Sequence, residues 1–133
     1  MNAFTSNRRA GFTLVEIMIV VAIIALLAAI VTGPAIRARK RSQATRVLED
    51  LRLIDSAIDQ YAIETSKAGG ASVAWTEIQA YLKKGSVLYS SGGADLLTNA
   101  YTGFTVDGLP KVSSTTFNRL SDVVPSDFWS PFY

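Results

Sequence analysis

From Ile17 to Val31 the chain reads IMIVVAIIALLAAIV, with no charged or polar side chain. Across the wider segment Phe12–Ile36 the only charge is Glu16. At ~1.5 Å per residue, a helix of that length reaches roughly 37 Å, more than the hydrocarbon core of about 30 Å. Such a rod, apolar on every side, cannot be covered by the rest of a 133-residue chain. It must be covered by lipid or by other subunits. A secretory signal peptide is the competing reading, and Ala28-Ala29-Ile30 loosely supplies its cleavage site. The helical pattern continues well past that point, so the segment reads as an anchor.

Beyond Gly33-Pro34 the periodicity becomes one-sided. Ile36, Val47, Leu51, Ile54, Ile58 and Tyr61 recur at steps of three and four, widened by Leu48, Ala57 and Ala62. Arg46, Glu49, Asp50, Arg52, Asp55 and Asp59 fill the opposite side, as in an amphipathic helix. Pro34 lacks an N–H and crowds the preceding turn, which predicts a bend or local melting there. Ala68-Gly69-Gly70 predicts the helix end near Lys67.

The remainder, residues 68–133, reads as a small globular head. Val73–Lys83 predicts a short helix burying Trp75, Ile78 and Leu82. Val87–Tyr89 predicts a strand. Phe104–Val106 and Leu109–Val112 flank Asp107-Gly108 as a hairpin, with Pro110 confining the return strand to an edge or bulge. Thr116–Leu120 predicts one helical turn, and the aromatic tail through Trp129, Phe132 and Tyr133 packs back on the head. The expected class is α+β: a long N-terminal helix, its first half transmembrane, with its second half packed on a small antiparallel sheet and short helices. The expected organisation is 1–11, a leader; 12–36, the apolar helix segment; 37–67, its amphipathic continuation; and 68–133, the head.

Composition narrows function mainly by exclusion. The chain has no cysteine and no histidine, which removes thiolate metal sites and the usual Ser-His and Cys-His nucleophiles. No pair of carboxylates sits in a catalytic motif, so an enzyme is not expected. Within residues 1–41 Arg8, Arg9, Arg37, Arg39, Lys40 and Arg41 stand against Glu16 alone, leaving +5, whereas seven cations against ten acids leave residues 42–133 at −3. The basic excess therefore belongs to one end of the chain beside an apolar segment and points away from nucleic acid. Arg37, Arg39, Lys40 and Arg41 suit anionic lipid headgroups or acidic patches on neighbouring subunits. They equally suit an ordinary interfacial anchor.

Arg8-Arg9-Ala10-Gly11-Phe12-Thr13-Leu14-Val15-Glu16 joins directly to the apolar run. This block resembles the N-terminal processing signal of type IV pilins and of the pseudopilins of type II secretion systems, and the likeness extends over about residues 8–62. The resemblance implies cleavage by a prepilin peptidase between Gly11 and Phe12, followed by N-methylation of Phe12. It also implies that Glu16 is the family's assembly glutamate. Physical chemistry fits these roles. Gly11 lets extended backbone enter a peptidase cleft. Removing residues 1–11 exposes a positive amine. Glu16, a carboxylate costing a few kcal/mol in hydrocarbon, can then meet a neighbour's Phe12 amine and fix axial register.

The resemblance further implies a single-pass protein of the bacterial inner membrane, its head periplasmic, extracted into a filament. Its partners would be other copies or paralogous pilin-like subunits, the peptidase, an inner-membrane assembly platform, and the bilayer before assembly. Counting Arg8 and Arg9 against Arg37, Arg39, Lys40, Arg41 and Arg46 argues the reverse topology, but the processing motif is the more specific signal. The absence of cysteine excludes the disulfide loop common in major adhesive pilins and favours a secretion pseudopilin over a type IV pilus subunit. A signal-anchored binding module that forms no polymer is the alternative from another class. The head of the major pseudopilin holds calcium. Asp95, Asp107, Asp122 and Asp127, with Asn99, are the candidate ligands here, but without EF-hand spacing loop solvation is the stronger reading. Asp95–Tyr101 is only faintly similar to the pseudopilin Asp-Pro-Trp-Gly-Asn-Pro-Tyr stretch.

Overall fold

The computed structural model describes residues 11–133; the leader and its Arg8 and Arg9 lie outside the described residues. Helix α1 runs over Leu14–Thr65, with Pro34 inside it. The expected local melting at Pro34 does not occur: the helical turns continue on both sides of the residue. The chain divides into two units, one ending at Ile36 and the other running Arg37–Tyr133.

In the first unit every described side chain is exposed, as expected of a segment built from Ile, Val, Leu and Ala on all sides. It is long and apolar enough to cross a membrane. Ile36, expected on the buried face, is exposed as well.

In the second unit the α1 face formed by Ala44, Val47, Leu48, Leu51, Ile54, Ala57, Ile58 and Tyr61 is buried. It packs with Ile78, Leu82, Leu88, Leu120 and Trp129 in one core. Each fully buried aliphatic side chain contributes roughly 1.5–3 kcal/mol, which fixes this face against the short elements. α1 ends slightly before the glycines. Ser66 adopts a left-handed φ of 52° and the Lys67 amide donates to the Ala62 carbonyl at 3.3 Å, a closing turn that satisfies a terminal carbonyl.

The short elements are helical. α2 covers Trp75–Ile78 and continues as a 3-10 turn over Gln79–Tyr81. α3 covers Val87–Ser90, α4 covers Ser114–Leu120, and a 3-10 turn covers Ser126–Trp129. The expected antiparallel sheet is not formed. Among the described residues there are only three isolated antiparallel bridges, Ser72 with Thr105, Ala94 with Ala100, and Thr102 with Lys111. Three causes are visible. Val87–Tyr89 is drawn into a helix by Ser86, whose hydroxyl caps the Tyr89 amide at 3.1 Å. Asp107-Gly108 does make a tight turn, with the Gly108 amide donating to the Thr105 carbonyl at 3.0 Å. Phe104–Val106 pairs with residues 70–73 instead of 109–112, through Val73 N to Phe104 O and Val106 N to Ala71 O, both 2.9 Å, and only Thr102, further back, meets Lys111. Finally, Pro110 is buried and has no N–H for a ladder.

Polar clamps hold α1 to these elements. The Tyr61 hydroxyl donates to Glu77 Oε1, Lys67 Nζ lies 3.2 Å from the same oxygen, and Glu77 Oε2 accepts the Ala74 amide at 2.7 Å. These donors, the Tyr61 hydroxyl first, hold the Glu77 carboxyl down at about 2, from an ordinary 4.5. A carboxyl depressed on folding stabilises the protein above its unfolded value and loses that stabilisation as it protonates. The thermal midpoint of the second unit should therefore fall as pH drops from about 4.5 toward 2. Glu77→Gln should flatten that limb of the pH profile. An unchanged slope in the variant would remove Glu77 as its cause.

Candidate assembly site at the start of the long helix

The start of α1 is built by a reciprocal cap. Thr13 precedes the first helical residue; its hydroxyl accepts the Glu16 amide at 3.3 Å. In return Glu16 Oε2 accepts the Thr13 amide at 2.8 Å and the Thr13 hydroxyl at 3.0 Å. This is a capping box, which satisfies amide donors that the first turn leaves free. Its signal, Thr-x-x-Glu ahead of an apolar run, lies in the sequence at Thr13–Glu16. The charge-pair reading of Glu16 passed over it. Glu16 thus has a local structural role besides the intermolecular one that the resemblance implies.

Phe12 precedes the cap and is 84% exposed. A Cβ at Gly11 would meet nothing within 4 Å, and no left-handed φ requires glycine there. Among the described residues nothing therefore demands a glycine at position 11.

In the second unit Arg37, Arg39 and Arg41 are exposed. Lys40 is partly turned inward, its Nζ 2.6 Å from Asp122 Oδ2. Arg41 Nε donates to the Val123 carbonyl at 3.3 Å. The Lys40 ammonium holds the Asp122 carboxyl below its usual range.

The candidate calcium ligands do not converge. Asp95 is buried, with Oδ1 accepting the Leu97 and Asn99 amides at 2.8 and 3.0 Å. Its Oδ2 accepts the Thr116 hydroxyl, which in turn accepts Asn99 Nδ2 at 2.9 Å. Asp107 sits at a turn with φ 59°. Asp122 is paired with Lys40, and Asp127 is exposed in the C-terminal 3-10 turn. Among the described residues no three acidic groups come close enough to share a metal ion. One contact had no local signal: the Tyr101 hydroxyl donates to Asp50 Oδ2 at 3.1 Å across 51 positions. Burial raises the Asp50 carboxyl above its usual range. Trp75, Trp129 and Tyr101 belong to the packed interior or its edge.

Residues 6–32 match the family model described as the prokaryotic N-terminal methylation motif. The chain is 41% identical over 66 residues to the type IV major fimbrial protein FimA of Dichelobacter nodosus, covering 50% of this chain and 42% of that protein. It is 43% identical over 68 residues to fimbrial protein Q of Moraxella bovis, covering 50% and 43%. It is 33% identical over 61 residues to the type II secretion system core protein G of Klebsiella pneumoniae, covering 46% and 44%. The chain thus spans less than half the length of these curated relatives. No solved structure matches it. The motif match and these likenesses all fall on about half of the chain, which is there similar to type IV fimbrial proteins and to a type II secretion system core protein. These relatives are named as fimbrial and secretion-system core proteins, not as enzymes.

Proposed function

We propose that this chain is a structural subunit of a pilus-like filament that assembles through its N-terminal helix, and in particular a pseudopilin of a type II secretion system. The observation that carries the reading is the first unit itself. Its apolar side chains are exposed around the whole helix, and the single acid Glu16 sits in a cap at its start. Such a surface is tolerated only in lipid or against other copies. On this reading a prepilin peptidase cuts between Gly11 and Phe12, and Phe12 is methylated. The segment 12–36 then waits as a single span in the inner membrane with the rest of the chain periplasmic. An assembly platform moves it into a helical filament, where Glu16 faces a neighbour's Phe12 amine. Residues 37–65 continue the helix, and the rest of the chain completes the head. The absence of cysteine and the likeness to core protein G support the secretion assignment. A type IV pilus subunit is the second reading, favoured by the higher identities to the two fimbrial proteins.

The test is the intact mass of the membrane-extracted protein from its native host, with fragmentation of its N-terminus. The expected species begins at Phe12 and carries one added methyl group. A chain beginning at Met1 would overturn processing and leave an anchored module that forms no polymer. The partners that co-purify with the processed chain then separate secretion machinery from pilus.

A further inference from the structure

The four cations at positions 37–41 do not all share one face. At roughly 100° per residue, Arg37, Lys40 and Arg41 fall within an arc of about 100° around α1, and Arg39 lies on the opposite side. A neighbouring protein would meet one side of the helix, whereas a headgroup layer surrounds it. The structure also divides their labour. Lys40 is spent on Asp122 and Arg41 gives its Nε to the Val123 carbonyl, while Arg37 and Arg39 are exposed. In sequence this collar follows directly on the last residue of the apolar segment, Ile36. A guanidinium offers a fork of donors matched to phosphate oxygens.

We propose that Arg37, Arg39 and Arg41 form a binding collar for the phosphates of anionic phospholipid headgroups, holding the unassembled subunit at a fixed depth in the bilayer. The proposal rests on the membrane-spanning reading of residues 12–36. Lys40, held by Asp122, orients α1 against the Val123 turn and so presents the three arginines.

The full chain, reconstituted in bilayers of equal parts phosphatidylglycerol and phosphatidylcholine, is released for native mass spectrometry, and the lipids that stay bound are counted. A surface cation near anionic lipid is worth roughly fivefold in binding, so about a tenfold or greater excess of phosphatidylglycerol is expected on the wild type. R37Q/R39Q/R41Q should reduce the excess to near parity while the chain still floats with the bilayers. R8Q/R9Q should keep it, and R37K/R39K/R41K should keep part of it. An unchanged excess in the triple glutamine variant, or its loss in R8Q/R9Q, would overturn the collar while leaving the anchor intact. So would a wild type without lipid preference whose self-association falls in the triple variant, because the arginines would then serve a neighbouring copy. A wild type that fails to float with either lipid would overturn the membrane reading and the collar with it.

Discussion

Replacing Glu16 by lysine should abolish filament assembly while leaving membrane insertion intact. Glu16 holds the first turn by accepting the Thr13 amide and hydroxyl, and it is the only charge between Phe12 and Ile36. A lysine removes the acceptor and puts a cation at the positive end of the helix dipole. In the proposed filament core it would also stand unpaired beside a neighbour's terminal amine. An uncompensated charge in such a setting costs about 3–5 kcal/mol, enough to reduce the assembled fraction by more than a hundredfold. Two further variants separate the cap from the charge. Glu16→Gln keeps an acceptor for the capping box and loses the charge. Thr13→Val loses the cap and keeps the charge. If intermolecular pairing governs assembly, Glu16→Gln should assemble poorly and Thr13→Val nearly normally. The measurement is the sedimentable filament fraction beside the membrane-bound fraction. Normal filaments from Glu16→Lys would sink the assembly role.

What was legible in the sequence is what local chemistry decides. The apolar run, the buried α1 face from Val47 to Tyr61 and the turn at Asp107-Gly108 each follow from a spacing within a few residues. Ile36 was misplaced because periodicity extends a pattern past the point where a core exists to receive it. Val87–Tyr89 reads as a strand by residue type, yet Ser86 at its start caps a helical turn, and such a side-chain contact outweighs a weak propensity. The hairpin failed for a different reason. Its turn is local, but whether Phe104–Val106 pairs with residues 109–112 or with residues 70–73 depends on where α1 ends and how the chain returns. At the candidate site the motif matched over residues 6–32 was readable, since its residues are contiguous. The collar's division of labour was not, because Lys40 meets Asp122 across 82 positions.

Asp95 shows the same limit most sharply and yields the second large effect. By sequence it is a weak calcium candidate in a polar loop; in the structure it is the buried centre of that loop. Its two oxygens receive the Leu97 amide, the Asn99 amide and the Thr116 hydroxyl, which lies 21 positions away. A buried donor left without a partner costs about 1–3 kcal/mol. Asp95→Ala strands three donors at once and should destabilise the second unit by roughly 3–5 kcal/mol, a large part of a domain's typical ~5–15. For a domain near 100 residues that corresponds to a fall in midpoint of roughly 15 °C or more. Asp95→Asn retains one acceptor, and its amide can donate to the Thr116 oxygen, so it should cost less. Thr116→Val leaves Asp95 Oδ2 and Asn99 Nδ2 unpaired and should fall between the two. Because protein donors occupy both carboxylate oxygens, adding a calcium chelator to the wild type should leave the midpoint where it is. Thermal melts of the full chain in detergent, followed by near-ultraviolet circular dichroism of Trp75 and Trp129, measure all four. A midpoint lowered by the chelator as far as by Asp95→Ala would mean that a cation, not Thr116 and the loop amides, holds the loop together.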